Sequence, residues 1–347
     1  MSHPLIAETA LFFFSELNKR GIRYAVLRKI ERIPDAIGND IDVVIDEREK
    51  PAVLEVICGC VEKFGHGVYE RKDVSGLYAI LYSFVEGKLI FLRLDFTNPV
   101  ENPETLLERR IRNERGIYYL PPGVYVKKPK HNLQGLFTYP WRLLFPPGRL
   151  AVIVGPDGVG KSTTAELIVQ LFEAFHIPVT HMHLGFRPRI LPTKKSIVTL
   201  GKQKEATPGE VSTTPGLVRF LYHTLDHFLG YFVKIRPLLV KGRYVIGERY
   251  YYSYLVDPRP KKRYGVPVWL IRLAFVCMPK PDIAILLSND PRKIYERRQE
   301  HSVEEIARQI EAYRKEGMCV GKFIEVETDK PPARVAVEIV QQLTHGS

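Results

Sequence analysis

The chain has 347 residues, 45% of them hydrophobic, and 51 Lys and Arg against 39 Asp and Glu give a net charge of +12. That length allows two domains that each bury a core, and this composition excludes a disordered chain. The apolar stretch nearest to membrane length, 217–240, carries Arg219, His223, Asp226, His227, Lys234 and Arg236, so no membrane span is expected.

Helical periodicity over 5–20 is followed by strand-like runs at 24–27 and 41–46, a helix at 51–64, and a hairpin of 77–84 and 89–96 around Glu86-Gly87. Together they predict a small α+β unit. Asn39-Asp40-Ile41-Asp42 sets two carboxylates at i and i+2, on one face of a strand, and Asp95 can add a third from a neighbouring strand. Three converging acids suit one or two Mg²⁺ ions in nucleotidyl transfer. Acids on an edge strand facing water are the plainer alternative. The pattern resembles the polymerase-β-type nucleotidyltransferase core over about residues 20–100. Where that family has a Gly-Ser turn, which lets a triphosphate approach the backbone, this chain has Leu27-Arg28-Lys29. An active transferase and a domain that only binds substrate or scaffolds both remain open.

A connector rich in proline and aromatics, about 121–147, contains Lys127-Lys128-Pro129-Lys130 and Phe145-Pro146-Pro147-Gly148. The expected organisation is therefore a domain over 1–130, a linker over 131–148 and a second domain over 149–347. In that second part, strand-like runs at 150–154, 179–183, 244–246, 283–287 and 323–326 alternate with longer helical patterns. Such an order predicts a parallel sheet flanked by helices, with the ligand at the carboxyl ends of the strands.

The loop Gly155-Pro156-Asp157-Gly158-Val159-Gly160-Lys161-Ser162-Thr163 leaves the first of these strands. Behind it, Leu167, Ile168, Leu171, Phe172 and Phe175 repeat at helical spacing. Glycines let the backbone N–H groups turn inward on a phosphate, and the helix N-terminus adds partial positive charge. Lys161 is placed to reach the β- and γ-phosphates, and Ser162 to hold Mg²⁺.

Further residues narrow this reading. Gly247-Glu248-Arg249-Tyr250 ends the 244–246 strand, Asp157 lies inside the loop, and Lys280-Pro281-Asp282-Ile283 leads through Asp290-Pro291 into an arginine-bearing helix. Together these resemble the thymidylate kinase family over roughly residues 149–340. The resemblance is closest to its branch with an added N-terminal domain, often linked to surface-polysaccharide genes, through Phe186-Arg187-Pro188, Glu248-Arg249-Tyr250-Tyr251-Tyr252 and Val256-Asp257-Pro258. It implies a P-loop sheet and transfer of the γ-phosphoryl group of ATP, with Mg²⁺, to a small acceptor that already carries a phosphate. A nucleoside monophosphate such as thymidylate and a sugar phosphate both qualify.

The same resemblance implies roles. Lys161 and Mg²⁺ screen the donor oxygens, and Arg249 clamps the acceptor phosphate through its planar fork. Glu248, with Ser162, belongs to the Mg²⁺ site, and Asp157 contacts the acceptor's sugar hydroxyl. The loop contains no arginine, so Arg297 and Arg298, with Arg187 behind them, are the candidates for a transition-state cation. Arg187, Arg249 and Tyr250 are expected at the acceptor. In the plainer readings Glu248 and Arg249 form a surface pair, Arg297 and Arg298 are solvated, Asp290 caps a helix and Tyr250 packs the sheet edge. His181 and His183 read as core or hydrogen-bonding residues rather than metal ligands. The segments that hold thymine in the family are replaced here by 184–192 and 254–258, which leaves the acceptor open.

Two alternatives stand beside the kinase: a bifunctional kinase and nucleotidyltransferase in polysaccharide precursor synthesis, and an ATP-dependent regulatory module without acceptor chemistry. A nucleic-acid partner rests on charge alone and is not expected, because nucleotide handling also explains the basic clusters, Arg187 to Lys204 and Arg292 to Arg298. A homodimer stays open. The start, Met-Ser-His-Pro, shows no basic leader, which makes the cytoplasm the expected location. Cys58, Cys60, Cys277 and Cys319 fall in no CxxC or zinc spacing and read as idle thiols.

Overall fold

A computed structural model describes residues 2–28, 30–37, 40–73, 76–97, 102–124, 139–184, 213–251, 253–256, 265–317 and 320–344. The chain forms two compact units, Met1–Leu133 and Gln134–Ser347.

The first unit is α+β. Helix α1 (Pro4–Lys19) starts with proline in its first turn, and His3 Nδ1 accepts the Leu5 N–H at 3.2 Å. It buries Ile6, Ala10, Phe13, Phe14 and Leu17 on one stripe. Helix α2 (Lys50–Phe64) stops at Gly65, whose φ of 68° is the left-handed cap that glycine adopts without strain. A mixed sheet contains β1 (Tyr24–Val26), β2 (Ile41–Ile45), β3 (Gly67–Asp73), β4 (Gly76–Val85), β5 (Lys88–Thr97), β6 (Ile111–Arg112) and β7 (Tyr118–Tyr119) in the order β3-β4-β5-β2-β1-β7-β6. The two helices pack on one face against Tyr24, Val26, Val43, Leu92 and Leu94. On the other, α3 (Pro103–Glu108) supplies Leu106 and Leu107 to a smaller cluster with Ala25, Val44 and Leu120. Because strand side chains alternate, Asp42 shares the face of Val44. The parallel register then sets Asp42 directly opposite Asp95.

In the second unit β8 (Leu150–Val154), β9 (Val179–His183), β10 (Tyr244–Glu248), β11 (Ile283–Ser288) and β12 (Lys322–Glu327) form a wholly parallel sheet in the order β12-β11-β8-β10-β9. Every residue of β8 and β11 is buried, as expected for strands with helices on both faces. Leu150, Val152 and Val154 meet residues of α6 (Thr213–Gly230), α7 (Arg236–Val240), α9 (Val268–Cys277) and α11 (Val303–Gly317). The opposite face takes α5 (Lys161–Ala174), which also packs on α12 (Pro332–Thr344). The remaining helices are α4 (Tyr139–Leu144), α8 (Ser253–Val256) and α10 (Pro291–Arg297), and a π-helical turn, Tyr231–Ile235, joins α6 to α7. From β8 the chain crosses to one side of the sheet, and from β10 it crosses to the other, so the loop after β8 opens at the point where strand order reverses.

Among the described residues no helix is long and apolar enough to cross a membrane. Cys58, Cys60 and Cys277 are free, and burial pushes the Cys60 thiol up to about 12. Cys319 lies outside the described residues.

Gly148 sets the start of β8. Its N–H donates to the Leu239 carbonyl at 2.9 Å, and a Cβ there would lie 2.8 Å from Leu239 Cα and against the Arg243 carbonyl. Neither is a side chain that can turn aside. Overpacking of this kind costs about 1–3 kcal/mol, so Gly148→Ala is expected to lower the melting temperature by about 5 °C or more. An unchanged calorimetric transition would show that α7 and β8 are not locked together here.

Candidate phosphate-handling site

The loop between β8 and α5 is held open by three glycines with φ of 145°, 89° and 101° at Gly155, Gly158 and Gly160. At Gly155 a Cβ would also sit 2.6 Å from the Leu287 carbonyl oxygen of β11. At Gly160 the space is empty to 4 Å, so there the backbone angle alone demands glycine.

Lys161, the first residue of α5, turns back into this loop. Its ammonium donates to the Gly155 and Pro156 carbonyls at 2.9 and 2.7 Å and lies 3.3 Å from Asp157 Oδ1. Only 7% of the side chain is exposed, and burial pulls its pKa down to about 8, with Asp157 opposing the shift. Arg249 donates through Nη2 to the same Asp157 oxygen. The two cations expected at donor and acceptor phosphates thus meet on one carboxylate.

Glu248 is the second focus. Its register partner on β8 is Ile153, which brings it level with the start of the loop. Glu248 Oε2 accepts the Ser162 hydroxyl at 2.5 Å. Its other oxygen accepts from His181 Nε2 at 2.8 Å, and His183 Nδ1 lies 3.7 Å from Oε2. A carboxylate only accepts, so the proton of His181 is on Nε2. Glu248 is buried, and these partners compensate a carboxylate that would otherwise be costly to desolvate.

The remaining candidates divide. Val159 is buried and Thr163 exposed within the loop and the first turn of α5. Tyr250, expected at the acceptor, has its ring in the core, and its hydroxyl donates to the Pro279 carbonyl at 2.6 Å. Asp290 caps α10, accepting the Arg292 N–H at 2.8 Å. Arg297 ends α10 with its side chain exposed, while Arg298 pairs with Glu300 at 2.6 Å and has its Cβ against Gly158. Arg187, and most of the two segments that differ from the family's thymine-binding parts, lie outside the described residues.

Sequence reasoning missed Glu300 and His301. Each offers a ligand atom within 4.8 Å of the others and of Asp157, and they border an open depression of about 520 Å³ that also involves Tyr295 and Gln299. The signal was their place two and three residues after Arg298.

In the first unit the ligand atoms of Asp40, Asp42 and Asp95 also lie within 4.8 Å of one another. Arg28 Nε and Nη2 both donate to Asp42 Oδ2, at 3.0 and 2.6 Å.

Comparison with known proteins agrees with the loop's geometry. The family profile described as thymidylate kinase matches residues 153–329. A probable thymidylate kinase of Thermococcus gammatolerans is 30% identical over 145 residues, covering 40% of this chain and 65% of that protein. One of Thermococcus kodakarensis is 31% identical over 141 residues, covering 39% and 64%, and one of Archaeoglobus fulgidus is 28% identical over 149 residues, covering 43% and 68%. The chain therefore spans a little under two thirds of the first two relatives.

The lowered pKa of Lys161 carries a sign. Between about 8 and the ordinary 10.5 the unfolded chain binds the proton that the folded lysine has released, so folding gains stability as pH rises through that window. The melting temperature of the wild type relative to Lys161→Met is expected to climb from about pH 7 to about pH 9.5. A difference that stays flat would mean the ammonium keeps its ordinary pKa.

Proposed function

The chain belongs to the thymidylate kinase family, and on that premise we propose that its second unit transfers the γ-phosphoryl group of ATP to a small acceptor that already carries a phosphate. A nucleoside monophosphate such as thymidylate is the first candidate and a sugar phosphate the second, in the cytoplasm.

The observation that carries this reading is the meeting of Lys161 and Arg249 on Asp157. Phosphoryl transfer asks a protein mainly to align two phosphate-bearing molecules and to neutralise charge between them. One cation rises from the phosphate loop and the other from the tip of β10, separated by a single carboxylate oxygen. Phosphates entering from the two sides would take over the hydrogen bonds that the Gly155 and Pro156 carbonyls and Asp157 now supply. Because Lys161 is almost fully buried, its charge acts where water screens little.

Ser162 Oγ and Glu248 Oε2 are adjacent hard oxygen donors, a set that fits Mg²⁺. When bound, that ion neutralises charge on the transferring phosphate. His181 holds the far oxygen of Glu248, which keeps the near one turned toward Ser162.

The test is ADP release from ATP and Mg²⁺ against a panel of nucleoside monophosphates and sugar phosphates. One acceptor should stimulate turnover, and Lys161→Ala and Arg249→Ala should each lower it by about 100-fold or more, as loss of one preorganised charge does. Acceptor-dependent turnover untouched by both changes would defeat the proposal. ATP binding without stimulation by any acceptor would replace it with the regulatory module.

A further inference from the structure

We infer that Arg28 is a built-in counter-ion of the Asp40, Asp42 and Asp95 cluster in the first unit and competes with a divalent cation for it. This stands apart from the kinase reading, since it concerns the other unit and another set of residues.

The backbone delivers the guanidinium. Strands β1 and β2 are antiparallel with Val26 opposite Val43, and the Leu27 N–H donates to the Asp42 carbonyl at 3.0 Å, so the ladder continues past the end of β1. Two residues beyond Val26, Arg28 comes level with Ile41, between the two acids of Asp40-Ile41-Asp42. From there both Nε and Nη2 close on Asp42 Oδ2. The Asp42 side chain is only 5% exposed, whereas that of Arg28 is 62% exposed. The carboxylate is fixed in the sheet and the arginine reaches it from solvent.

Charge points the same way. Arg28 Nη2 lies 2.6 Å from Asp42 Oδ2, and Asp40 and Asp95 offer ligand atoms within 4.8 Å of that carboxylate, so three acids gather beside this guanidinium. Arg93, two residues before Asp95 on β5, is buried with its guanidinium over the Phe91 ring, and Asp40 partly offsets the cost of its burial. Three carboxylates within 4.8 Å would repel one another without nearby cations. A metal ion that takes Asp42 Oδ2 competes with Arg28 for that oxygen. Small residues at this turn would leave the oxygen accessible; here Leu27-Arg28 closes over it. At rest the cluster is accordingly compensated in part by the chain's own arginine.

Mn²⁺ binding to the full-length, nucleotide-free chain, read by electron paramagnetic resonance of the free ion, tests this. Glu248→Gln is carried in every variant to remove the Ser162–Glu248 donor pair, and the Asp157, Glu300 and His301 group is common to all variants, so it cancels in the comparison. Arg28→Ala should bind one Mn²⁺ on the order of tenfold or more tightly than the parent, through removal of an opposing charge. Arg28→Gln, which keeps most of the length, should do the same, and Asp42→Asn added to either should abolish the gain. The inference fails if the parent binds as tightly as both Arg28 variants, if neither variant gains a site, or if the gained site survives Asp42→Asn.

Discussion

The buried ammonium of Lys161 is the interaction on which the second unit's site depends. A positive charge this far from water needs partners on several sides, and the loop provides two carbonyls and the Asp157 carboxylate. Those carbonyls can turn inward only because Gly155, Gly158 and Gly160 accept backbone angles that side-chain-bearing residues rarely adopt. The glycines and the lysine are thus a single device, since the curl exposes the polar groups and the ammonium satisfies them. A phosphate presents the same acceptor chemistry as these carbonyls with more negative charge. In the proposed kinase, ligand binding is therefore an exchange of acceptors around a cation already in place.

The tip of β10 supports that device from the neighbouring strand. Glu248 reaches the first turn of α5 because the parallel register sets it beside Ile153. Arg249 then bends away with φ of 56°, a left-handed conformation that costs a non-glycine residue about 1–2 kcal/mol. In that conformation its N–H donates to the Ile153 carbonyl at 3.2 Å and its guanidinium meets Asp157. Consecutive residues are sent to different parts of one site, and the local strain is offset by the contacts it permits.

How much of this was legible in the sequence depends on the range of each signal. Strands β8 and β11 were readable because burial on both faces writes an unbroken apolar run, while β9 and β12 at the sheet edges are only partly buried; β10 exceeded its expected end the most, running to Glu248, because its last position is a buried carboxylate. In the first unit α1, α2, β4 and β5 carried clear periodicity. Strand β3 did not, since an edge strand reading Glu70-Arg71-Lys72 need not alternate, and β6 and β7 at two residues each are too short to show a period. At the site, the loop, Glu248 and Arg249 were visible as local motifs. The partners that complete it were not: nothing in the spacing of His181 announces a bond to Glu248, 67 residues away. Tyr250 was ambiguous for the same reason, because an aromatic beside a site arginine reads alike whether it faces a ligand or the core.

The two units meet one electrostatic problem from opposite sides. Each gathers charged groups at the end of a strand, where repulsion and desolvation oppose folding unless a partner of the other sign is close. In the second unit two cations, Lys161 and Arg249, meet on the Asp157 carboxylate, and the buried Glu248 also acts on Lys161. In the first unit the cluster is anionic, and Arg28 already sits on Oδ2 of its most buried carboxylate. A cluster whose compensation is incomplete within the chain is prepared for a ligand of opposite charge, whereas one compensated by its own chain must first give up an internal partner. The difference lies in the residues just past the first strand of each unit, glycines that bare the backbone in one and an arginine that covers a carboxylate in the other.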